Sequence, residues 1–264
     1  MNYTAKTADK FILYQEAVQA PEAEVAFIDR VYKKLYGRPA TLFREDFCGT
    51  QLISCAWAKL RAANHAWGVD LDGPTLAWGL EHNIAPLEGG VADRVHQLQQ
   101  NVFHVIRPRV EIVGAFNFSY FIFKERRALT AYFRAVKKSL VSEGLFVLDC
   151  YGGWDSQKVQ KERTRYKGFV YIWDQAKYDP VTDHTLCHIH FAFPDGSVMR
   201  KAFTYDWRLW TIGGIRDCLY DAGFSHTEVY WEGTTRSGKG NGVYRPAKEA
   251  ENDPAWVAYI TATP

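Results

Sequence analysis

The sequence predicts an α/β fold in which a mostly parallel, seven-stranded sheet lies between two layers of helices. From Thr41 onward, short apolar runs alternate with segments that carry a helical pattern. The runs are almost continuously apolar, which is typical of parallel strands covered on both faces. After Asp149 the pattern changes, and two strand-like runs flank a turn signal. This order predicts a three-layer sandwich that carries an inserted β-hairpin.

The elements can be assigned in chain order. The apolar runs predict strands at Thr41–Phe43, His65–Asp70, Val95–Leu98, Val110–Phe116, Leu145–Asp149, Ser225–Trp231 and Trp256–Thr261. The helical patterns predict helices at Glu22–Tyr36, Gln51–Leu60, Pro74–Asn83, Lys124–Leu140 and Thr211–Ala222. The clearest is Lys124–Leu140, where apolar residues recur at every fourth position. Proline near the start of the third helix and Gly223 after the last one are typical helix boundaries.

Three segments lie outside the sheet pattern. Residues 1–40 are predicted to form a helical lid, and residues 41–264 the main domain. Leu186–Phe193 and Val198–Trp207 flank "PDGS", so a hairpin insertion is expected at about residues 165–208. The long segment Glu232–Pro254 contains several glycines, and loops of this length are usually functional. We expect it to hang over the edge of the sheet that binds the ligand.

Composition and charge narrow the class of protein. The chain has 264 residues, with 32 basic and 30 acidic side chains and a formal charge of +2. This balance gives no electrostatic argument for binding nucleic acid or an acidic membrane. The five cysteines form no C-x-x-C pair, which indicates reduced thiols. Because no signal-peptide pattern or membrane-length apolar run is present, a cytoplasmic location is predicted.

The residues that follow the strands carry the predicted site, because ligands of open parallel sheets lie beyond the carboxyl ends of the strands. Asp70 ends the second strand, 21 residues beyond Gly49, and a carboxylate there can accept both hydroxyls of a ribose. The first turn, "EDFCGT", has one glycine and two carboxylates instead of the glycines that hold a pyrophosphate. Carboxylates suit an ammonium group, so the pattern predicts a cationic nucleoside as ligand.

These motifs resemble those of class I S-adenosylmethionine-dependent methyltransferases, over roughly residues 40–261. "REDFCGTQ" is similar to the first motif of that family, with Phe47 and Gln51 in place of its outer glycines. "GVDLD", "QQNVF", "NFSYF" and "SEGLFVLD" are similar to later motifs in the same order. The resemblance implies a Rossmann-like methyltransferase sandwich with S-adenosylmethionine as cofactor. It implies these cofactor-binding residues: Glu45, Asp46, Phe47, Cys48, Gly49, Thr50, Asp70, Leu71, Asn101, Val102 and Asn117.

An acceptor pocket is predicted at the same edge of the sheet. We expect it to be lined by Tyr120, Tyr151, Tyr205, Trp231 and Glu232, with Asn117, Tyr120 and Tyr151 placed to act on the nucleophile. Aromatic faces beside a carboxylate favour an amine-bearing acceptor, although a neutral aromatic ring would also fit. His188 and His190 share a strand face that Cys187 does not, so no metal site is predicted.

The predicted function is methyl transfer from S-adenosylmethionine to a small molecule, either an amine or a hydroxyl compound. The alternatives are a protein or nucleic-acid methyltransferase and a non-catalytic nucleoside-binding protein. A small-molecule acceptor is the expected partner, without nucleic acid or membrane, and a homodimer is possible. For single residues, structural roles stay open: Asp70 and Asn117 could cap helices, and Asp46 could form a salt bridge.

Overall fold

The computed structural model describes residues 3–235 and 240–264. The strands are β1 (Leu42–Asp46), β2 (His65–Asp70), β3 (Val95–Gln99), β4 (Val110–Ala115), β5 (Leu140–Gly152), β6 (Gln160–Tyr166), β7 (Phe169–Asp179), β8 (His184–Ala192), β9 (Val198–Arg208), β10 (His226–Thr234), β11 (Gly240–Pro246) and β12 (Trp256–Thr263). The helices are α1 (Lys10–Val18), α2 (Pro21–Tyr36), α3 (Leu52–Leu60), α4 (Gly73–Gly79), α5 (Arg126–Ser139) and α6 (Ile212–Asp221). A π-helical turn at Leu80–Ile84 continues α4.

The main sheet has the strand order β11-β10-β12-β5-β4-β1-β2-β3. Strands β1 to β5 pair in parallel, and β12 runs antiparallel to both of its neighbours. The order reverses at β1, which pairs with β2 on one side and β4 on the other. This is the switch point at which open α/β sheets bind their ligands. The predicted α/β fold is therefore confirmed.

Helices cover both faces of the main sheet. On one face, Leu129 and Phe133 of α5 and Ile215 of α6 pack in the largest core cluster. On the other face, Ile28 of α2 and Trp57 of α3 belong to a second cluster. Since both faces are covered, the central strands are buried, as in β4, where every residue is buried, Glu111 included.

Two parts of the fold are larger than the sequence indicated. The inserted unit is an antiparallel sheet with the order β6-β7-β8-β9, in which β8 and β9 are the predicted hairpin. Strand β6 was missed because its sequence, "QKERTRY", has no aliphatic residue to mark a strand. The Glu232–Pro254 segment contains β11, which pairs with β10 and adds an eighth strand to the main sheet. Residues 236–239 of that segment lie outside the described residues.

The two N-terminal helices have different positions. Helix α2 belongs to one of the two helical layers of the sandwich. Helix α1, called the lid helix below, contacts both the inserted sheet and the turn after β1, which is the side where the cofactor is expected. On the cofactor side, Gln15 Nε2 donates to Thr50 Oγ1 at 2.8 Å. On the other side, Tyr166 donates its hydroxyl to the main-chain oxygen of Ala17, and Tyr14 packs against Phe203 with ring centroids 4.8 Å apart.

Two further findings concern the whole chain. All five cysteines are buried and free of disulfides. Within the described residues, no helix combines the length and the apolar character that a membrane span requires. The cytoplasmic location stays a prediction.

Candidate active site

The turn after β1 has the backbone of a glycine-rich loop although two of its three expected glycines are replaced. Phe47, Gly49 and Gln51 all have left-handed backbones, with φ of 58°, 51° and 60°. Residues other than glycine adopt this region at a cost of about 1–3 kcal/mol, and such strain collects at binding sites. A Cβ atom at Gly49 would meet only Thr75 Cγ2, at 3.9 Å, so the backbone there is open to a ligand.

The side chain of Gln51 is accommodated by a glycine on the neighbouring strand. A Cβ atom at Gly68 of β2 would lie only 2.1 Å from Gln51 Nε2. The Gln51 side chain therefore fills the space that Gly68 leaves, and its Oε1 accepts a hydrogen bond from Gln97 at 2.7 Å. The absence of a side chain at Gly68 therefore allows the turn and β2 to pack closely together.

Glu45 braces the start of α3. Its Oε2 accepts hydrogen bonds from the main-chain nitrogen of Ser54 at 2.8 Å and from Ser54 Oγ at 2.5 Å. Burial raises the pKa of Glu45 to about 8, which the two hydrogen bonds only partly offset. The turn thus contains a buried carboxyl group whose protonation state depends on the hydrogen bonds and charges around it.

Asp46 does not face the cofactor side, and the prediction that it contacts the ligand is wrong. Alternation along β1 places its carboxylate on the opposite face from Glu45. There it pairs with Arg44, with Nε and Oδ1 2.8 Å apart, and accepts a hydrogen bond from Tyr132 at 2.9 Å. Arg44 and Asp46 are each 1% exposed, so this is a buried ion pair.

The end of β2 presents a carboxylate and an exposed apolar residue. Asp70 Oδ2 accepts from the main-chain nitrogen of Gly49 at 2.9 Å, and its Oδ1 accepts from Asp72 N at 3.0 Å. Asp72, not Asp70, caps α4 through Thr75. Leu71 is 63% exposed, which leaves its side chain free to contact a flat ligand.

The remaining predicted cofactor residues differ in which of their atoms a ligand could reach. Asn101 Oδ1 accepts a hydrogen bond from Phe103 N at 3.0 Å, in a local turn after β3. The side chains of Cys48 and Val102 are buried, so these two residues can offer only their backbones to a ligand. Thr50 is also buried and is joined to the lid helix.

A cavity of about 450 Å³ lies between the carboxyl ends of β4 and β5, the lid helix and the inserted sheet. Its aromatic wall comes from the lid helix, β5 and the inserted sheet and includes Tyr14, Tyr151, Tyr171, Trp173, Tyr205 and Trp207. Its carboxylates are Asp155, Glu162 and Glu232. Among the described residues that line it, none is lysine, arginine or histidine. Such a cavity favours a small ligand with apolar surface and positive charge.

The loop after β4, the strand that pairs with β1, forms part of the cavity wall. Asn117 and Phe118 line the cavity and have left-handed backbones, with φ of 55° and 57°. Both main-chain nitrogens donate to the buried carboxylate of Asp149, at 2.7 and 2.9 Å. Burial raises the pKa of Asp149 to about 7 despite these bonds. Asp149 therefore holds in place a strained loop that lines the cavity.

Three of the five predicted acceptor residues, Tyr151, Tyr205 and Glu232, line the cavity. Tyr120 does not, because it is fully buried and its hydroxyl donates to the main-chain oxygen of Asp149 at 2.6 Å. Trp231 does not line it either. It alternates with Glu232 along β10 and packs against Trp256, with centroids 5.0 Å apart. The predictions for Tyr120 and Trp231 are wrong because sequence position does not fix side-chain direction.

Several cavity residues were missed by the sequence analysis. Tyr171 and Trp173 come from β7, whose run of aromatic and β-branched residues after Gly168 was a usable strand signal. Tyr14 comes from the lid helix, whose start is marked by Asp9 as N-cap. Within the described part of the chain, no group of three or more metal-ligating side chains converges. Instead, His190 pairs with Asp174 at 3.1 Å.

Comparison with known proteins supports the fold. No family model matches the chain, and neither does any curated protein. Among solved structures, DesVI from Streptomyces venezuelae is 16% identical, with 96% of each chain covered and a TM-score of 0.68. An S-adenosylmethionine-dependent methyltransferase from Clostridium acetobutylicum is also 16% identical, covering 96% of this chain and 97% of that one, with a TM-score of 0.66.

The chain has the fold of the S-adenosylmethionine-dependent methyltransferases. Another structure with this methyltransferase fold is CalS10 from Micromonospora echinaspora, described as an amino pentose methyltransferase. It is 14% identical, covers 96% of each chain and has a TM-score of 0.66. In this fold, the Asn117–Phe118 loop lines the cavity beneath the inserted sheet and follows β4, which pairs with β1. At this level of identity the likeness extends to the fold.

Proposed function

We propose that the chain is an enzyme that transfers a methyl group from S-adenosylmethionine to an amino group of a small molecule. The observation that carries the proposal is the cavity of about 450 Å³, which is rich in aromatic rings and carboxylates and lies beside a turn with the backbone of a glycine-rich loop. The S-adenosylmethionine-bound CalS10 and the sugar N-methyltransferase KedS8 have the same fold and support the choice of reaction.

The residues at the carboxyl ends of β1 and β2 fit the cofactor. The open backbone at Gly49 allows close approach, Asp70 offers a carboxylate to the ribose, and exposed Leu71 offers a surface to the adenine. When bound, the cofactor supplies an electrophilic methyl group on a sulfonium. Since that methyl group is already activated, the protein has to align the two reactants and exclude water.

The cavity fits an acceptor that carries an amine. Aromatic faces attract a cation or an amine-bearing ring, and the carboxylates of Glu162 and Glu232 can pair with ammonium. The hydroxyl of Tyr151 is buried and has no hydrogen-bond partner. Burial raises its pKa well above its usual value, so it stays protonated and can donate to the acceptor. Asn117 and Tyr151 are therefore proposed to position the nucleophile.

The test is an acceptor screen that detects S-adenosylhomocysteine by mass spectrometry. The purified protein is incubated with S-adenosylmethionine and with paired compounds that differ only in carrying an amino or a hydroxyl group. We expect S-adenosylhomocysteine to form with amines and not with the matched alcohols. In the Glu232→Gln variant, kcat/KM for amines should fall by about tenfold, because one charge-assisted contact is lost.

The outcomes separate the alternatives. Turnover with alcohols alone would reject an amine as nucleophile while keeping the cofactor. Binding of S-adenosylmethionine without turnover of any small molecule would favour a non-catalytic nucleoside-binding protein or a macromolecular substrate. Failure to bind S-adenosylmethionine at all would reject the proposal.

A further inference from the structure

Five aromatic side chains of the cavity wall form one connected group around Trp207. The ring centroid of Trp207 lies 4.3 Å from that of Tyr205 and 6.4 Å from that of Trp173. It also lies 6.5 Å from the centroid of Tyr151 and 6.4 Å from that of Phe118. Tyr151 and Phe118 contact each other, with centroids 4.7 Å apart. All five residues line the cavity of about 450 Å³ and are called the ring cluster below.

The ring cluster is assembled from four separate parts of the chain. These are the loop after β4, and strands β5, β7 and β9. Three further aromatic residues line the same cavity, namely Tyr14, Tyr171 and Trp256. A pair of rings in contact is ordinary core packing, whereas many rings around one cavity are typical of sites that bind alkylated ammonium groups.

The ring cluster adjoins both residues that are proposed to position the nucleophile. Tyr151 is itself a member, and Phe118 directly follows Asn117 in the strained loop. A nitrogen atom held by Asn117 and by the Tyr151 hydroxyl would therefore lie beside these rings. During methyl transfer, positive charge moves from sulfur to this nitrogen, and aromatic faces stabilise the charge as it develops.

Several hydrogen-bonding groups of the cavity wall already have partners within the protein. Asp155 pairs with Lys158, and Glu232 Oε1 accepts a hydrogen bond from Gly242 N at 2.7 Å. Gln175 donates from Nε2 to the main-chain oxygens of Asp155 and Lys158, at 2.8 Å each. A primary ammonium has three N–H donors that need acceptors when it is buried. A quaternary ammonium has none, so aromatic faces suit it better than they suit a primary ammonium.

We propose that the ring cluster is a cage for a fully alkylated nitrogen, and that the chain converts a tertiary amine into a quaternary ammonium. This inference rests on the proposed function. In the step, the lone pair of the neutral tertiary amine forms the new N–CH3 bond, while the S–CH3 bond breaks and its electron pair stays on sulfur. The positive charge passes from sulfur to nitrogen. No proton is released, because the nucleophilic nitrogen carries no hydrogen.

The first experiment compares the binding of a quaternary ammonium with that of its uncharged carbon isostere. The probes are choline and 3,3-dimethylbutan-1-ol, which have the same shape and differ in the charge. Each is titrated calorimetrically into the full-length wild type in the presence of S-adenosylhomocysteine, which has no methyl group to transfer. We expect choline to bind about tenfold more tightly, because only choline carries the charge that aromatic faces attract. Equal affinities, or no binding of choline at millimolar concentration, would overturn the inference.

Trp173 offers a matched pair of variants that separates a ring face from apolar bulk. Trp173→Leu removes the ring and should lower the ratio of choline affinity to isostere affinity about fivefold. Trp173→Phe keeps a ring and should retain most of the wild-type ratio. Trp154→Leu is the control, because Trp154 is 48% exposed and lies outside the described cavity lining. Equal ratios in the two Trp173 variants would contradict a cage, and the wild-type comparison does not depend on any variant folding.

The second experiment uses the amine acceptor that the screen identifies, together with its N-methylated derivatives up to the tertiary amine. Mass spectrometry follows S-adenosylhomocysteine and the methylated products. We expect the tertiary amine to be converted into the quaternary ammonium, with kcat/KM at least equal to that of the less methylated acceptors. A tertiary amine that yields no S-adenosylhomocysteine would reject the inference and leave the proposed methyl transfer intact. If no amine yields S-adenosylhomocysteine, the proposed function itself fails.

Discussion

Gln15 of the lid helix donates a hydrogen bond from Nε2 to Thr50 Oγ1 at 2.8 Å, which joins the N-terminal segment to the turn that follows β1. The two residues are 35 positions apart in the sequence. Because the lid helix also packs on the inserted sheet through Tyr14 and Phe203, this bond connects the cofactor turn with the cover of the cavity. Loss of the bond should therefore affect cofactor binding more than overall stability.

Gln15→Ala should weaken S-adenosylmethionine binding about fivefold, the value of one hydrogen bond of about 1 kcal/mol. Glu16→Ala is the control, since Glu16 is the exposed neighbour on the same helix. Both variants should unfold close to the wild-type temperature. Calorimetric titration measures the affinities, and equal affinities in the two variants would show that the lid helix does not hold the turn.

Asp70 and Asp72 form a second matched pair at the end of β2. Asp70→Ala should cost about 2–3 kcal/mol of S-adenosylmethionine binding, because charge-assisted bonds to the ribose are lost. Asp72→Ala removes the cap of α4, which should cost about 1 kcal/mol of stability and leave the affinity unchanged. Calorimetry and urea unfolding measure the two effects. An unaltered affinity in folded Asp70→Ala would remove Asp70 from the site.

Asp46→Asn should destabilise the fold by about 3–5 kcal/mol, because the buried guanidinium of Arg44 loses its counter-ion. The affinity for S-adenosylmethionine of the folded fraction should not change. Chemical unfolding measures the loss of stability. The double variant Arg44→Met with Asp46→Leu is the control, since apolar replacement of both partners should recover most of the loss. A loss of affinity in folded Asp46→Asn would return Asp46 to the ligand side.

The contribution of Asp149 and Glu45 to stability should fall as the pH rises from about 4 to about 8. The pKa values of Asp149 and Glu45 are raised by burial to about 7 and about 8 in the folded chain. Their unfolded values are near 4, so the folded state binds more protons across this window. The stabilising contribution is complete below the unfolded pKa and is lost as the pH rises through the folded pKa.

Urea unfolding at a series of pH values tests this expectation, with Asp149→Asn as the variant. Its free energy of unfolding should change less between about pH 4 and pH 7 than that of the wild type. Glu16→Gln, which alters an exposed carboxylate, should keep the wild-type slope. Stability that rises with pH over this window would contradict the assignment of raised pKa values.

Gly68→Ala should destabilise the fold by about 2 kcal/mol, because its Cβ would overlap the Gln51 side chain. Adding Gln51→Gly should recover most of that loss, since it removes the overlap and the left-handed strain at residue 51 together. A double-mutant cycle from chemical unfolding measures the coupling. Additive effects of the two changes would show that the two positions are independent.

Much of the architecture could be predicted from the sequence because it follows from local patterns. The bounds of β2 were predicted residue for residue, and those of α3 to within one residue. Short apolar runs and capped helical repeats fix the kind and order of elements, and parallel strands bring their carboxyl ends to one edge. This is why the sequence alone predicts that Gly49, Asp70 and Asn117 lie near one site. Strand β6 could not be predicted, since its charged sequence is stabilised by pairing with β7 and not by its own composition.

The sequence by itself determined which residues follow each strand, because order and spacing along the chain are local properties. Only the tertiary structure decided where their side chains point. Glu45 and Asp46 are adjacent, yet Glu45 braces the turn after β1 and Asp46 pairs with Arg44 on the opposite face of the sheet. Tyr120 and Tyr151 are both expected after strands, yet only Tyr151, at the end of β5, reaches the cavity. The direction of a side chain depends on strand pleat and on distant packing partners, such as Tyr132 for Asp46, and these contacts exist only after the chain has folded.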